Sequence, residues 1–282
     1  MNLSTRLVSS NSIRLLMTVI ALFQFVIAIG FITRQTWTEA LWPFQYTTNL
    51  SFIFMASMAL AATASTLWCV VEREDAGFAG IALDYMLLFG AMGILGLQNY
   101  GRTQNQAVLM LVIGSAAAAL FGLWLFLWSQ RLPFRDVQAT PRPVRFAFGF
   151  FAVALILTGG AMILRQPNIL PWNMTQETAL FYGWFFLGAA AYFIYGLLRP
   201  KWGNAGGQLA GFLAYDAVLI VPFVQHLSTV RPEHRLSLYL YIAVIVSSGL
   251  IAIYYLLINP TTRLGRRMAL TERAAASDTL TA

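Results

Sequence analysis

The sequence predicts an all-α integral membrane protein, a bundle of about eight transmembrane helices. The chain of 282 residues is 59% hydrophobic and only 10% charged, whereas a soluble domain carries about 25% charged residues. Eight stretches of the chain reach the roughly 20 mostly apolar residues that a membrane-spanning helix needs. Lipid offers no hydrogen-bond partner to free backbone groups, so each of these stretches is expected to be helical.

The first four spans form the first predicted unit, residues 1–136. The first span, at about 15–33, follows a basic lead. Its apolar run is too long for a signal peptide, so it is expected to remain in the chain. The polar segments RQTWTEALWP, EREDAG and QNYGRTQNQ introduce the next three spans, at about 46–71, 77–97 and 107–128.

The second four spans form the second predicted unit, residues 137–260. The segment SQRLPFRDVQATPRPVR introduces the fifth span, and its prolines disfavour a continuous helix. The segments RQPNILPWN, RPKWGNAGG and STVRPEHR separate the later spans. The four spans are predicted at about 144–164, 179–198, 208–227 and 237–258.

The basic residues predict the orientation in the membrane. The amino terminus, the loops after the second, fourth and sixth spans, and the tail hold 13 of the 18 Lys and Arg. Cytoplasmic segments are enriched in these residues, so both termini are expected in the cytoplasm. The tail, residues 261–282, is expected to meet anionic headgroups with its basic start and to be disordered beyond it. Because the loops are short, a bacterial plasma membrane (the inner membrane) is the expected location.

Composition argues against several other classes of protein. Cys69 is the only cysteine, and His226 and His234 are the only histidines. No disulfide, cysteine cluster or multi-histidine metal centre is therefore predicted, and no cofactor. The net charge of +7 is spread among apolar runs and does not indicate nucleic-acid binding. Lys201, the only lysine, lies in a predicted loop, so no retinal Schiff base is expected within a span.

The two units resemble each other, which predicts a parallel four-plus-four internal repeat. SIRLLMTVIAL at 12–22 is similar to PVRFAFGFFAV at 143–153, an offset of 131 residues. AGFAGIALDYMLLF at 76–89 is similar to GGQLAGFLAYDAVLI at 206–220, and each contains an aspartate. An even number of spans per unit gives both units the same orientation. In some transporters with parallel repeats the substrate site lies at the repeat interface.

Asp84 and Asp216 occupy matching places in the two units, each about eight residues into its predicted span. A bare carboxylate inside the hydrocarbon costs at least about 2.5–3.5 kcal/mol. The acid can avoid this cost by protonation, by pairing with a base from the inner edge, or by accepting hydrogen bonds. The candidate bases are Arg14 and Arg145, and the candidate donors are Tyr85, Tyr215, Thr47, Thr48 and Asn49.

The two acids admit a structural and a functional interpretation. In the structural one, each acid ties helices together through a hydrogen bond or a buried ion pair. In the functional one, the acids form a pair that handles protons or cations near the repeat axis. Small residues precede both acids and allow close helix contact, so spans three and seven are expected at the centre of the bundle. These residues include Gly77, Gly80, Gly206, Gly207 and Gly211.

A second group of candidate residues lies at the predicted outer face. His226 ends the seventh span, and His234 lies in the following loop. Ten residues separate Asp216 from His226, which is about 15 Å of helix, so these two side chains cannot form a dyad. The outer group either lines a polar pocket for a headgroup or forms a hydrated rim. It comprises Tyr46, Gln98, Asn99, Tyr100, Trp172, Asn173, His226 and His234.

The segment YTTNLSF at 46–52 resembles the threonine-bearing second span of the androgen-induced membrane hydrolase family. The resemblance implies a lipid-ester hydrolase in which a threonine works with a histidine. That family carries its histidine in a middle span, whereas spans four and five of this chain contain none. The general base of the family is therefore missing. A lipid hydrolase built on this chain would depend on Thr47, Thr48 and His226.

Three functional hypotheses follow from the sequence. The first is a non-enzymatic membrane protein, either a subunit of an assembly with a membrane partner protein or a binder of a lipophilic small molecule. The second is a small secondary transporter or proton-coupled carrier that uses Asp84 and Asp216, and the third is a membrane lipid hydrolase. A transporter predicts a cavity that reaches both acids, whereas a scaffold predicts a dry bundle in which each acid has a bonding partner.

Overall fold

A computed structural model describes residues 3–42 and 48–265 of the chain. These residues form a helical fold without strands, apart from an isolated antiparallel bridge between Ala139 and Lys201. Eight helical segments are long and apolar enough to cross a membrane, which confirms the prediction of an all-α, multi-pass membrane protein. The helices are α1 Leu3–Ile32, α2 Thr36–Leu41, α3 Asn49–Val71, α4 Phe78–Thr103, α5 Gln106–Ser129, α6 Arg142–Ile163, α7 Gln176–Leu198, α8 Trp202–His226 and α9 Arg235–Ile253.

Side-chain caps fix the starts of three of the long helices. Thr48, Asn105 and Thr175 each precede a helix and accept a hydrogen bond from a backbone amide two or three residues later. Such a cap satisfies one of the amides that the first turn of a helix leaves without a partner. The threonine predicted as a donor to a buried acid, Thr48, therefore caps α3.

Helix α8 begins at Trp202, six residues before the predicted start of the seventh span at 208. The segment GNAGG resembles a break in the sequence, yet all of it is helical. A side chain at Gly206 would clash with the ring of Trp68 on α3. These glycines therefore allow α8 to lie close against α3. The loop that precedes α8 is consequently shorter than predicted.

The eight long helices form two rows of four. One row runs in the order α5, α4, α7, α6, and the other in the order α1, α3, α8, α9. The central contacts, α4 with α7 and α3 with α8, join one half of the chain to the other within each row, and smaller α3–α4 and α7–α8 contacts link the rows. The third and seventh spans, α4 and α8, thus occupy inner positions, in agreement with the prediction.

Hydrogen bonds to buried acids connect the loops at one end of the bundle. Glu74 is buried, and its two carboxylate oxygens accept the backbone amides of Arg135 at 2.9 Å and Asp136 at 2.5 Å. Glu72 accepts the backbone amide of Gly265 at 2.8 Å, which fastens the start of the tail. We call this end of the bundle the basic end; it comprises the segments 72–77, 130–141, 199–203 and 259–265.

Candidate functional site

The described residues surround a cavity of about 1060 Å³, which lies between the helix pairs α6–α7 and α8–α9. Residues of α3 and α4 also line this central cavity, so it reaches the middle of the bundle. Its volume is at the upper limit of the roughly 300–1,000 Å³ that is typical of ligand pockets. The central cavity is therefore large enough for a sizeable organic molecule.

Aromatic rings form much of the wall of the central cavity. Phe212 of α8 contacts Phe151 of α6 and Phe193 of α7, with ring centroids 4.6 and 4.5 Å apart. Rings that pack in this way restrict each other's motion, so this wall of the cavity is formed without a ligand. The aromatic lining consists of Phe146, Phe150, Phe151, Phe185, Phe186, Phe193, Phe212, Tyr192, Tyr215 and Tyr241.

The central cavity opens sideways between α6 and α9. Lining residues on both helices are exposed, with Phe146 at 82% and Leu240 at 60% of their full accessible surface. On α6 the lining runs from Arg142 to Thr158, which is about 24 Å at 1.5 Å per residue. Both helices are long and apolar enough to cross a membrane, and the length of the mouth is comparable with the roughly 30 Å thickness of a hydrocarbon core.

Asp84 of α4 lines the central cavity, and its side chain keeps part of its accessible surface. Its Oδ1 atom is fully buried and accepts a hydrogen bond from none of the described residues. This oxygen lies against Gly188 of α7, where an added Cβ atom would clash with it. The carboxyl group of Asp84 is thus held against α7 while this oxygen stays without a donor.

Asp216 of α8 lines the same cavity but has a hydrogen-bond partner. The Ser248 hydroxyl of α9 lies 2.7 Å from Oδ2 of Asp216 and donates to it. Only 5% of the accessible surface of Asp216 remains. Gly249 leaves ordinary room beside the carboxylate, since an added Cβ atom would lie 3.5 Å from Oδ2. This contact ties α8 to α9.

The two bases considered as charge partners lie elsewhere. Arg14 donates from Nε and Nη2 to the two carboxylate oxygens of Asp75, both at 2.7 Å. Asp75 belongs to the turn before α4. Arg14 therefore pairs with an acid at the basic end and not with Asp84. Arg145 is exposed on α6, and neither base forms an ion pair with the cavity acids among the described contacts.

The tyrosines considered as donors bond to other groups. Gln24 of α1 donates from Nε2 to the hydroxyl of Tyr85 at 2.6 Å. The hydroxyls of Tyr215 and Tyr241 form a short hydrogen bond with each other. Tyr241 joins Ser248 as a second α9 residue that contributes a polar group to this wall.

The remaining predicted donors lie near the start of α3. Asn49 accepts a hydrogen bond from Arg34 at 3.3 Å, and Thr48 caps the helix. Thr47 lies outside the described residues. None of the described contacts connects this group to Asp84 or Asp216.

Ser248, Tyr241 and Gln208 are cavity residues that the sequence analysis did not single out. Gln208 donates from Nε2 to the backbone oxygen of Tyr192 at 3.0 Å, while its Oε1 atom finds no donor in the described part of the chain. The available signal was polar residues within an apolar run, as at the adjacent Ser247 and Ser248. That signal is weak because it does not tell which helix the residue faces.

The outer candidates divide between two places at the end opposite to the basic end. His234 lies with Nε2 2.9 Å from Oδ1 of Asn173, and both line a second cavity of about 250 Å³ together with Trp172. His226 lies beside this cavity and bonds through Nε2 to the backbone oxygen of Pro171 at 3.0 Å. Asn173, Trp172 and His234 thus lie together at this second cavity.

The other outer candidates do not join this cluster. Trp172 also donates from its indole nitrogen to Ser51 of α3 at 2.8 Å, which gives it a structural role. Gln98, Asn99 and Tyr100 lie near the end of α4 and line neither cavity, and Tyr46 lies outside the described residues.

Both ring nitrogens of His226 have hydrogen-bond partners. Nδ1 lies 3.0 Å from the hydroxyl of Thr229, an exposed residue three positions later. Thr48, the described threonine of the hydrolase hypothesis, bonds within the first turn of α3. Among the described contacts, His226 therefore pairs with Thr229 and not with Thr48 of the hydrolase hypothesis.

Within the described ranges, no group of three His, Cys, Asp or Glu residues is placed to hold a metal ion. No protein-family model matches the chain, and no curated protein or solved structure matches it.

Proposed function

We propose that this protein binds a lipophilic small molecule inside the bilayer, within the central cavity. The observation that carries the proposal is the cavity itself, about 1060 Å³ in volume, walled largely by aromatic and aliphatic side chains and open between α6 and α9. A molecule dissolved in lipid can enter through this mouth without crossing water. The partners of the protein are then the lipid bilayer and this ligand.

Apolar contact alone gives such a cavity little selectivity between ligands. Lipid tails are as apolar as the phenylalanine wall, so moving a hydrocarbon from the bilayer into the cavity brings little hydrophobic gain. Selection depends on shape and on the few polar groups that face the ligand. Asp84, Asp216 and Gln208 are such groups on the cavity wall, and the low dielectric around them strengthens their electrostatic effect.

Photolabelling in bilayers tests the proposal. Reconstituted protein is irradiated with an apolar aryl diazirine, and the labelled residues are mapped by mass spectrometry. We expect label on Phe212 and Ala189, which line the cavity on helices away from its mouth. In Ala243→Trp, which narrows the mouth at α9, this label is expected to fall several-fold.

The matched control is Ala117→Trp, at an exposed position of α5 outside the cavity lining. It places the same bulky ring on the bundle surface and should leave the labelling of Phe212 unchanged. Label confined to outward-facing residues in the unmodified protein would contradict the proposal, because lipid-soluble molecules would then not enter the cavity.

The proposal includes a parallel four-plus-four repeat. Helix pairing supports it, because exchanging the two halves of the chain maps the α4–α7 contact onto the α8–α3 contact. The register of these contacts agrees. Gly80 of α4 abuts Tyr192 of α7, and Gly211 of α8 abuts Ala61 of α3. Both exchanges, 80 to 211 and 61 to 192, shift the residue number by 131, which is the offset of the similar sequence segments at 12–22 and 143–153.

In the proposed orientation the protein spans a bacterial inner membrane and both termini lie in the cytoplasm. The distribution of Lys and Arg supports this orientation. Single-cysteine labelling tests it, and Cys69 is buried and gives little background. Arg102→Cys, in the last turn of α4, is expected to react with an impermeant maleimide on intact cells. Arg131→Cys, after α5, is expected to react only after permeabilisation, and the reverse result would invert the orientation.

A second candidate function is a secondary transporter or proton-coupled carrier. The observation that favours it is that Asp84 and Asp216, one from each half of the chain, line the same cavity. Transport requires in addition that the cavity open alternately to the two sides of the membrane. For a carrier, we expect a pH gradient to drive uptake of a bound lipophile into proteoliposomes. The double variant Asp84→Asn with Asp216→Asn is expected to lose this uptake. Binding without gradient-driven uptake would restrict the function to binding.

A further inference from the structure

We infer that the ligand of the central cavity is a lipophilic cation, an amine or onium compound whose positive charge pairs with the carboxylate of Asp84. This inference rests on the proposed function, because it specifies the chemistry of the molecule that the cavity binds. It also assigns different roles to the two acids. Asp84 binds the ligand, whereas Asp216 holds α8 against α9.

The charged groups on the cavity wall favour a cation. The charged lining residues are Asp84, Asp216 and Arg142. Arg142 is the first residue of α6 and is exposed, so it lies at the end of the cavity nearest the basic end. Deeper in the cavity the lining carries two acids and no base. An uncompensated carboxylate attracts a cation far more strongly in hydrocarbon than in water.

Asp84 has the free bonding capacity that a ligand needs. Its Oδ1 atom receives no hydrogen bond from the described residues, although it is fully buried. Buried polar atoms in folded proteins nearly always have a partner, so such an atom calls for an explanation. Gly188 allows the carboxylate to lie directly against α7, while the rest of the side chain remains accessible from the cavity. Because Gly188 closes off Oδ1, a bound molecule meets the accessible part of the carboxyl group, and its positive charge compensates the negative charge of the group as a whole.

Asp216 already accepts a hydrogen bond from the protein. The Ser248 hydroxyl donates to it, and 95% of its surface is covered, as the 5% exposure shows. A carboxylate can accept further donors, but little of Asp216 is accessible to a ligand, whereas Asp84 keeps more of its surface. The geometry therefore places the ligand charge at Asp84, and Asp216 adds negative potential to the cavity without direct contact.

The aromatic wall suits the body of such a cation. Seven phenylalanines and three tyrosines line the cavity. The face of an aromatic ring carries partial negative charge and attracts ammonium and other onium groups, most strongly where water is excluded. A neutral lipophile gains much less from this arrangement than a cation does, because the bilayer offers it equivalent apolar contacts.

Two ions of the same shape and opposite charge test the inference. The protein in nanodiscs of zwitterionic phosphatidylcholine is titrated with tetraphenylphosphonium and with tetraphenylborate, and binding is measured by equilibrium dialysis against protein-free nanodiscs. We expect saturable binding of the phosphonium and none of the borate. Asp84→Asn is expected to weaken phosphonium binding at least tenfold. Glu177→Gln, which makes the same change at an exposed position outside the cavity, should leave binding unchanged.

A measurement on the unmodified protein covers the case in which Asp84→Asn does not fold. Dicyclohexylcarbodiimide modifies carboxyl groups within membranes, and mass spectrometry reports the extent at each acid. We expect tetraphenylphosphonium to protect Asp84 several-fold and Asp216 much less, and tetraphenylborate to protect neither. Equal protection of both acids, or protection by the borate, would overturn the assignment of the charge to Asp84.

The outcomes separate this inference from the proposed function. If both ions bind equally, or if Asp84→Asn binds the phosphonium as well as the unmodified protein does, the cation inference is wrong. Diazirine labelling of Phe212 would still support a cavity for neutral lipophiles. If that labelling is also absent, the proposed function fails together with the inference.

Discussion

Asp84 and Asp216 are the same residue type in similar segments of the two halves, yet their surroundings differ. Asp216 accepts a hydrogen bond from Ser248 on the neighbouring α9. Asp84 has one carboxylate oxygen buried against Gly188 without a described donor. Both line the central cavity. The comparison indicates that one acid has become part of the helix contacts, while the other keeps its bonding capacity for something that enters the cavity.

The position of each acid within its half also differs. The two acids are 132 residues apart, one more than the 131 at which the helix contacts correspond, so they occupy neighbouring and not identical places on the surfaces of their helices. A buried polar group with its partners satisfied stabilises a contact, whereas one that lacks a partner costs free energy. Proteins tolerate such a cost mainly where binding or catalysis requires it. Variants that change one acid's surroundings and leave the other's intact therefore test the comparison directly.

The largest expected effect comes from the glycines beside the two acids. Gly188→Ala places a methyl group into the Oδ1 atom of Asp84, whereas Gly249→Ala meets Asp216 at an ordinary contact distance of 3.5 Å. Overpacking of this kind costs roughly 1–3 kcal/mol. We expect Gly188→Ala to lower the free energy of unfolding by that amount and Gly249→Ala to change it by less than about 0.5 kcal/mol. Dodecyl sulfate titration followed by circular dichroism measures both, and equal losses would contradict the asymmetry.

The next effect concerns the hydroxyl that bonds to Asp216. Ser248→Ala removes this donor and leaves the buried carboxylate of Asp216 short of a partner, which costs roughly 1–2 kcal/mol. Infrared difference spectra give a more specific readout. The carboxyl or carboxylate band that disappears in Asp216→Asn should shift in Ser248→Ala, and the band that disappears in Asp84→Asn should not.

Ser247→Ala serves as the control for this change. Ser247 is the adjacent residue on α9, is exposed, and bonds back to Ala243 within its own helix. It should leave both bands and the unfolding free energy unchanged. A shift of both bands in Ser248→Ala would mean that the two acids share one network, and the separation of their roles would be wrong.

The membrane spans could be predicted from the sequence, but the contacts between them could not. Lipid requires helices wherever the chain is apolar for long enough, so eight spans followed from length and composition. The start of α8 was predicted six residues too late because glycines that permit contact with Trp68 resemble a loop. The partner of Asp216, Ser248 of α9, was not predicted either. Helix α9 is mostly apolar, and its pattern does not tell which of the adjacent Ser247 and Ser248 faces a neighbouring helix.

The central cavity had no sequence signal either. A cavity depends on how far apart α6 and α9 lie at the ends of their rows, which is a property of the assembled bundle. The charge partners were predicted from proximity along the span, and Arg14 instead bonds to Asp75 in the turn before α4. The sequence therefore identified Asp84 and Asp216 as candidates, while their different roles follow only from the packing around them.

The smallest expected effect is a difference in sign between Asp84→Asn and Asp216→Asn. Both changes replace a carboxyl by an amide of nearly the same size. At Asp216 the amide accepts the Ser248 hydrogen bond more weakly than a carboxylate does, so we expect a loss of about 0.5–1 kcal/mol. At Asp84 no described donor is lost, and removing an unpaired acid from an apolar wall relieves part of its desolvation. The expected result there is a gain of about 0.5–1 kcal/mol in the free energy of unfolding, together with loss of cation binding. Losses of equal size at both positions would show that Asp84 also serves a helix contact, and its role in binding would then need support from the phosphonium titration alone.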